Sequence, residues 1–334
     1  MNLIIRKKSK GGGKTLSYLL SVIAMFCMIS NVGAEVIDLE GQTVGKLGGS
    51  EFKNSYAGNT LINGTVQVGS LAGAVGVYTI GDGAVVTCGD QQYVNGDCTF
   101  NIVEGGEYKQ TGSYFVYPFR YGQVKLIMNG GKFTSTSTAS ALSRGGMVNF
   151  GYVWNNQSSS KGKDVSAVVV MTNRSELSIS SGNLQLGSVK SNNEAGSPVK
   201  TSKTDLFVTN SIIKCEKGEI VLACGLNKWL SDWDNSYVRA VFGPNSEITA
   251  GQIFVNGQYP QSSVIFDGAT IHWTGNNDSF IGHTTAVGDV YTIDSHGLTV
   301  DIPNGKSLTC DGNASSLKGK GGITKIGEGS ITWI

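Results

Sequence analysis

The side chains best suited to proton transfer are three histidines, His272, His283 and His296, set among Asp267, Asp278, Asp289 and Asp294. A histidine against a carboxylate moves protons, and two carboxylates held a few ångströms apart cleave glycosidic bonds by acid and base action. These acids fall singly along the chain, and Gly282-His283, which matches one short hydrolase motif, has no Asp-Asp pair beside it. Each is therefore read as a turn or solvated residue, and no catalytic residue is expected. Cysteines offer a second chemistry. Cys88 and Cys98 are close in sequence, as are Cys215 and Cys224, while Cys310 has no obvious neighbour. Zinc is the sharper use of such groups, but no C-x2-C spacing or histidine cluster supports it. In an oxidising compartment the close pairs are expected as local disulfides, each contributing about 2–3 kcal/mol. No metal or other cofactor is expected. Aromatic rings offer a third chemistry, stacking on sugar faces. Residues 114–121 are dense in rings, and Trp229 and Trp233 lie beside Lys228 and Asp232. Tyr117 and Trp229 are the candidate glycan-facing residues; the plainer reading is that alternate rings fill a core and the tryptophans cover its edge.

The elements that must position these groups are strands. Glycine makes up 47 of 334 residues, proline only 5, charged residues 15% and hydrophobic residues 40%. Such a mixture favours strands and turns over helices, and is too apolar for disorder. A local unit recurs, in which an apolar run meets an Asn/Asp/Gly turn and a second, alternating run follows. Val124 to Met128 leads through Asn129-Gly130-Gly131 to Lys132-Phe133-Thr134, and Val168 to Met171 leads through Asn173 to Glu176-Leu177-Ser178-Ile179. The scheme returns at Asn245, at Asp267-Gly268 and at Pro303-Asn304-Gly305. The period is two, and helical spacing is almost absent. A β-sandwich or a coil of short strands can use this pattern, and turns separated by roughly one to three intervals of 20–30 residues favour the coil. The expected fold is all-β, a right-handed parallel β-helix (solenoid) with surface loops at 155–163 and 190–204, in which each coil completes its neighbour's core.

The first residues set the compartment. Arg6, Lys7, Lys8, Lys10 and Lys14 precede an apolar run from Leu16 to Ile29, and Val32-Gly33-Ala34 supplies small residues before Glu35. That is the pattern of a secretory signal peptide over 1–34, cleaved between Ala34 and Glu35, with an uncleaved anchor as the rival reading. Gly13-Lys14-Thr15 is not a phosphate-binding loop, because the first glycine of that motif would fall at Lys8. Removing the leader's five basic residues from the 26 Lys and Arg leaves 21 against 25 Asp and Glu, a net charge of −4. No run of Lys or Arg remains to serve nucleic acid or an anionic membrane, and a polyanion partner is not expected from composition.

The last residues, 319–334, read G-K-G-G-I-T-K-I-G-E-G-S-I-T-W-I. Gly319, Gly321, Gly322, Gly327 and Gly329 permit tight corners, while Ile323, Ile326, Ile331 and Trp333 supply apolar groups between them. This stretch closely resembles the strand repeat of autotransporter passengers, and the match covers roughly the last 40 residues. The resemblance implies a β-helix passenger-like domain over 35–334, secreted or outer-membrane associated in a Gram-negative bacterium. It implies an adhesin-like, non-catalytic role toward a surface receptor or glycan. Membrane contact is expected only through the signal segment or a β-barrel, and this chain reads as stopping before any barrel. Passengers are usually poor in cysteine, so the Cys pairs depart from the pattern. A β-helix that binds or degrades polysaccharide is the alternative reading, and a passenger fragment without function a further one.

Overall fold

In the strand Gln123–Asn129, Val124, Leu126 and Met128 are buried while Lys125 and Ile127 face outward. The same alternation marks Glu176–Ile179, Tyr237–Phe242 and Ser263–Phe266. A period of two puts one set of side chains on each face of a strand, and here the apolar set needs a partner surface. The computed structural model shows what supplies it. It describes residues 35–38, 42–44, 59–68, 76–89, 92–95, 97–111, 116–121, 123–136, 146–154, 164–190, 200–225, 235–256, 262–275, 279–283, 291–310 and 317–333. The leader, Trp229 and the insert at 155–163 lie outside them. Among the described residues the chain is all-β, with long parallel sheets and no helix.

Two sheets have eleven strands each and a third has seven. The first contains, in order, Glu35–Asp38, Asn59–Asn63, Gly76–Ile80, Cys98–Val103, Gln123–Asn129, Asp164–Thr172, Thr201–Val208, Tyr237–Phe242, Ser263–Phe266, Tyr291–Ile293 and Leu317–Gly319. Second-sheet strands follow each of these in sequence, from Gln42–Val44 to Ile323–Ile326. Third-sheet strands, such as Gly146–Trp154, Asn183–Lys190 and Ile220–Gly225, come next before the chain re-enters the first sheet. Successive circuits pair in parallel, in unbroken register in the first and second sheets and with local shifts near Tyr117 and Gly146 in the third, so equivalent side chains stack. One column runs Tyr78, Phe100, Leu126, Val169, Leu206, Ala240, Val264, Tyr291, Leu317. The second sheet answers with Tyr108, Phe133, Leu177, Ile213, Ile248, Ile271 and Val300. Tyr78 stacks on Phe100 at 5.3 Å, and Phe133 meets Phe150 of the third sheet edge-on at 6.1 Å. Each fully buried side chain of this size stabilises by about 1.5–3 kcal/mol.

Corners between the first and second sheets also stack. Asn173, Asn210 and Asn245 take positive φ of 54°, 47° and 57°, a conformation Asn tolerates better than most residues. Amides at these corners continue the ladder: Arg174 N donates to Asn210 O at 2.6 Å, Asn210 N to Pro244 O at 2.9 Å, and Asn245 N to Gly268 O at 3.3 Å. Asn304 does not belong to this series. The equivalent corner there is 294–297, and Asn304 follows the second-sheet strand Leu298–Asp301 instead. The loop expected over 190–204 is shorter, because Thr201–Val208 is already a first-sheet strand with Thr201 and Ser202 buried.

The disulfide expectation is corrected. Cys88, Cys98 and Cys215 are not in disulfides. Cys88 fills an inward position of the second sheet, where it hydrogen-bonds with Tyr108, whereas Cys98 opens a first-sheet strand opposite Gly76 and Val124. Cys215 is fully buried and Cys224 pairs along the backbone with Ser188. Burial pushes the Cys215 thiol up to about 12, and raises Cys98 as well. Cys98 and Cys215 are neutral packing elements rather than thiolates.

In the final strand repeat, a side chain at Gly319, where φ is 133°, would collide with the carbonyl of Ile293. Gly327, at φ 75°, would collide with Asp301 and Ile302, whereas Gly322 borders open space. Ser330–Trp333 pairs with Ser307–Cys310.

Leu206, 0% exposed between Val169 and Ala240, tests the stacked column. Leu206→Ala is expected to cost about 2–5 kcal/mol, read as a lower denaturant midpoint at unchanged slope. A loss below about 1 kcal/mol would show that the site is not a packed core position.

Candidate interaction face on the first sheet

The residues facing outward from the first sheet follow the same register as the buried ones. One line holds Gln123, Ser166, Lys203 and Tyr237, and the next, two residues along, holds Lys125, Val168, Asp205, Arg239 and Ser263. A third is apolar: Ile127, Val170, Phe207, Val241 and Ile265. Parallel pairing thus assembles a surface from strands far apart in sequence.

Its centre is a braced charge pair. Arg239 Nε donates to Asp205 Oδ1 at 2.8 Å, its Nη2 lies 2.7 Å from the same oxygen, and Tyr237 Oη donates to Asp205 Oδ2 at 3.0 Å. The Asp205 side chain is 11% exposed and that of Arg239 is 21% exposed. Burying a carboxylate to this degree is costly unless it is paired and hydrogen-bonded, and three donated contacts meet that condition. The guanidinium also lies over the rings of Phe207, at 5.3 Å, and Tyr237, at 5.6 Å. Cation–π contact and hydrogen bonds together hold both rings in place. Lys203 Nζ stands 6.0 Å from the Tyr237 ring centre.

Beside this cluster is a cleft of about 460 Å³ lined by Gln123, Asp164, Val165, Ser166, Lys200, Thr201, Lys203 and Asn235. All but Val165 carry hydrogen-bonding side chains. Thr201 Oγ1 donates to Asp164 Oδ1 at 2.7 Å, and Lys200 Nζ is 3.5 Å from Asp164 Oδ2. The Thr201 hydrogen bond first, and Lys200 after it, hold the Asp164 carboxyl below the usual carboxylate range. Donors, an ionised acceptor and a flanking ring are chemistry suited to hold a polar ligand.

The residues singled out for chemistry in the sequence lie elsewhere. His272, on the second sheet, has Nδ1 3.0 Å from Asp301 Oδ2 and Nε2 3.9 Å from Glu247 Oε2. His296 donates its backbone N–H to Asp267 Oδ1 at 3.0 Å, and its Nδ1 lies 2.7 Å from that oxygen. This pair ties two successive corners together. Asp294 accepts from the Ser295 amide at 2.8 Å, as a turn residue does. His283 ends a third-sheet strand opposite Val255, and Asp278 and Asp289 lie outside the described residues. Tyr117 is on the third sheet, paired with Tyr93, not on the face described above. Among the described residues no group of His, Cys, Asp and Glu is arranged to hold a metal ion.

Asp205, Arg239 and Tyr237 do not stand out in the sequence, because their meeting depends on pairing between positions 34 residues apart. The alternations Lys203-x-Asp205-x-Phe207 and Tyr237-x-Arg239 were the available signal. No family model, curated protein or solved structure matches the chain.

A depressed carboxyl contributes stability above its unfolded pKa and loses it as pH falls through the lower folded value. Thr201→Val is therefore expected to move the Asp164 titration upward, toward the ordinary range, when followed by carbon NMR. An unmoved titration would contradict the assignment of Thr201 as its main cause.

Proposed function

We propose that this chain is an exported, non-catalytic interaction module: a right-handed parallel β-helix of the autotransporter-passenger kind, displayed at a Gram-negative cell surface and binding its target through the outer face of the first sheet. The observation that carries the reading is the braced Asp205–Arg239–Tyr237 cluster beside the polar cleft. A sheet that only had to enclose a core would gain little from fixing a charge pair and two rings on its outer side, since the desolvation of a largely buried ion pair offsets much of its attraction and apolar residues of similar volume often do as well. Pre-ordered side chains do help binding, because their freedom is lost before the ligand arrives. Support for export comes from the basic and apolar leader with small residues before Glu35. Support for the coiled architecture comes from the cyclic order in which the chain visits its parallel sheets. The corner-forming glycines at 319 and 327 fit the passenger repeat.

Producing the full chain in a Gram-negative host tests this. The expected outcome is a mature polypeptide beginning at Glu35 by N-terminal sequencing, outside the inner membrane and open to added protease. A chain that keeps Met1 and stays in the cytoplasmic fraction would overturn the proposal.

A further inference from the structure

The mature chain's formal charge of −4 conceals a local excess of the opposite sign. On and around the first sheet's outer face stand Lys125, Lys200, Lys203 and Arg239 against Asp97, whose carboxylate accepts from the Gln123 amide at 2.9 Å, Asp164 and Asp205. Arg239 is taken up by Asp205 and Lys200 by Asp164. Among the described residues, Lys125 and Lys203 have no carboxylate at ion-pairing distance. Lys125 pairs with Val168 and Lys203 with Ser166, which puts the two lysines two strands and two residues apart. At strand spacings of about 4.8 Å and a rise of about 3.3 Å per residue, their backbones are about 12 Å apart. Between and beside them lie the hydroxyl and amide groups of the cleft, and Tyr237 is fixed next to Lys203 by its hydrogen bond to Asp205.

Resting on the interaction-face reading, we propose that this face binds an acidic saccharide, with Lys203 and Lys125 meeting its anionic groups, the cleft around Asp164 and Thr201 taking its hydroxyls, and the Tyr237 ring receiving a sugar face. Each component excludes a simpler ligand. A polyanion without rings or hydroxyls leaves Asp164 repelling it and Tyr237 idle. A neutral sugar leaves Lys125 unanswered and Lys203 with only the more distant Asp164 carboxylate. The composition-level expectation against polyanions averages over the whole chain, whereas register, rather than sequence proximity, gathers the lysines of this face.

Retention of the full chain on immobilised hyaluronate and polygalacturonate, with dextran, poly-glutamate and duplex DNA beside them, is the test. Binding to at least one acidic glycan is expected, weakened by added salt, and reduced tenfold or more by Lys203→Gln combined with Lys125→Gln. Tyr237→Ala is expected to weaken it while leaving the salt dependence in place. These side chains point away from the core, and unchanged circular dichroism confirms that the variants are folded. Equal retention on poly-glutamate or DNA would overturn the saccharide assignment. Retention on dextran that falls with Tyr237→Ala but ignores the lysines would overturn the acidic class alone and leave the interaction face standing. Binding untouched by every substitution would remove both, and no binding to any glycan would overturn the saccharide assignment.

Discussion

The buried columns of the first and second sheets depend on in-register parallel pairing between strands separated by irregular stretches of chain. Thr60 meets Tyr78 after 18 positions, and Leu126 meets Val169 after 43. Because side chains alternate across a strand, a slip of one residue would turn every apolar group outward. The cost of such a slip grows with each circuit, so register is fixed by the sum of many stacked contacts rather than by any one of them. Inserts between strands are tolerated because the cost of closing a loop rises only slowly with its length. That is how 37 residues can separate Val169 from Leu206 and 24 separate Ala240 from Val264 without disturbing the column.

The same constraint builds the outer face. A residue on one circuit is placed beside its counterpart on the next at a fixed strand spacing, whatever the intervening sequence. Asp205 and Arg239 meet in this way, and so do Lys203 and Tyr237. A rigid scaffold thus presents side chains in lines, and the arrangement of those lines, rather than any local motif, sets what the surface can recognise. The buried carboxylate of Asp205 fits this picture, since neighbours on the following strand supply the donors that satisfy it.

Much of the fold is legible in the residues. Val124-Lys125-Leu126-Ile127-Met128 announces a one-sided strand, and the turns at Asn173 and Asn245 are the positive-φ corners their side chains suit. What escapes is register. Asn304 resembles the other turns in composition yet occupies a different corner, because composition does not count circuits. Cys88 and Cys98 are close in sequence, but one belongs to the second sheet and the other to the first, each held in its own column. The candidate site was hardest to read, since neither the pair Asp205 and Arg239 nor the cleft around Asp164 is contained in any one segment. The histidines stand out by their type, and the structure sets His272 against Asp301 with Glu247 farther off, and His296 against Asp267.

Spin-label distances test the stacking most directly. Val77, Thr99, Lys125, Val168, Asp205, Arg239 and Ser263 occupy one outward line of successive strands. Backbone separation from Ser263 is expected to be about 29 Å for Val77 and about 24 Å for Thr99, six and five strand spacings of about 4.8 Å. Labels at these sites should therefore differ by about one spacing, and both distances should be independent of the long inserts between them. Distances that scale with sequence separation, or that fail to fall by one step from Val77 to Thr99, would contradict parallel, in-register stacking.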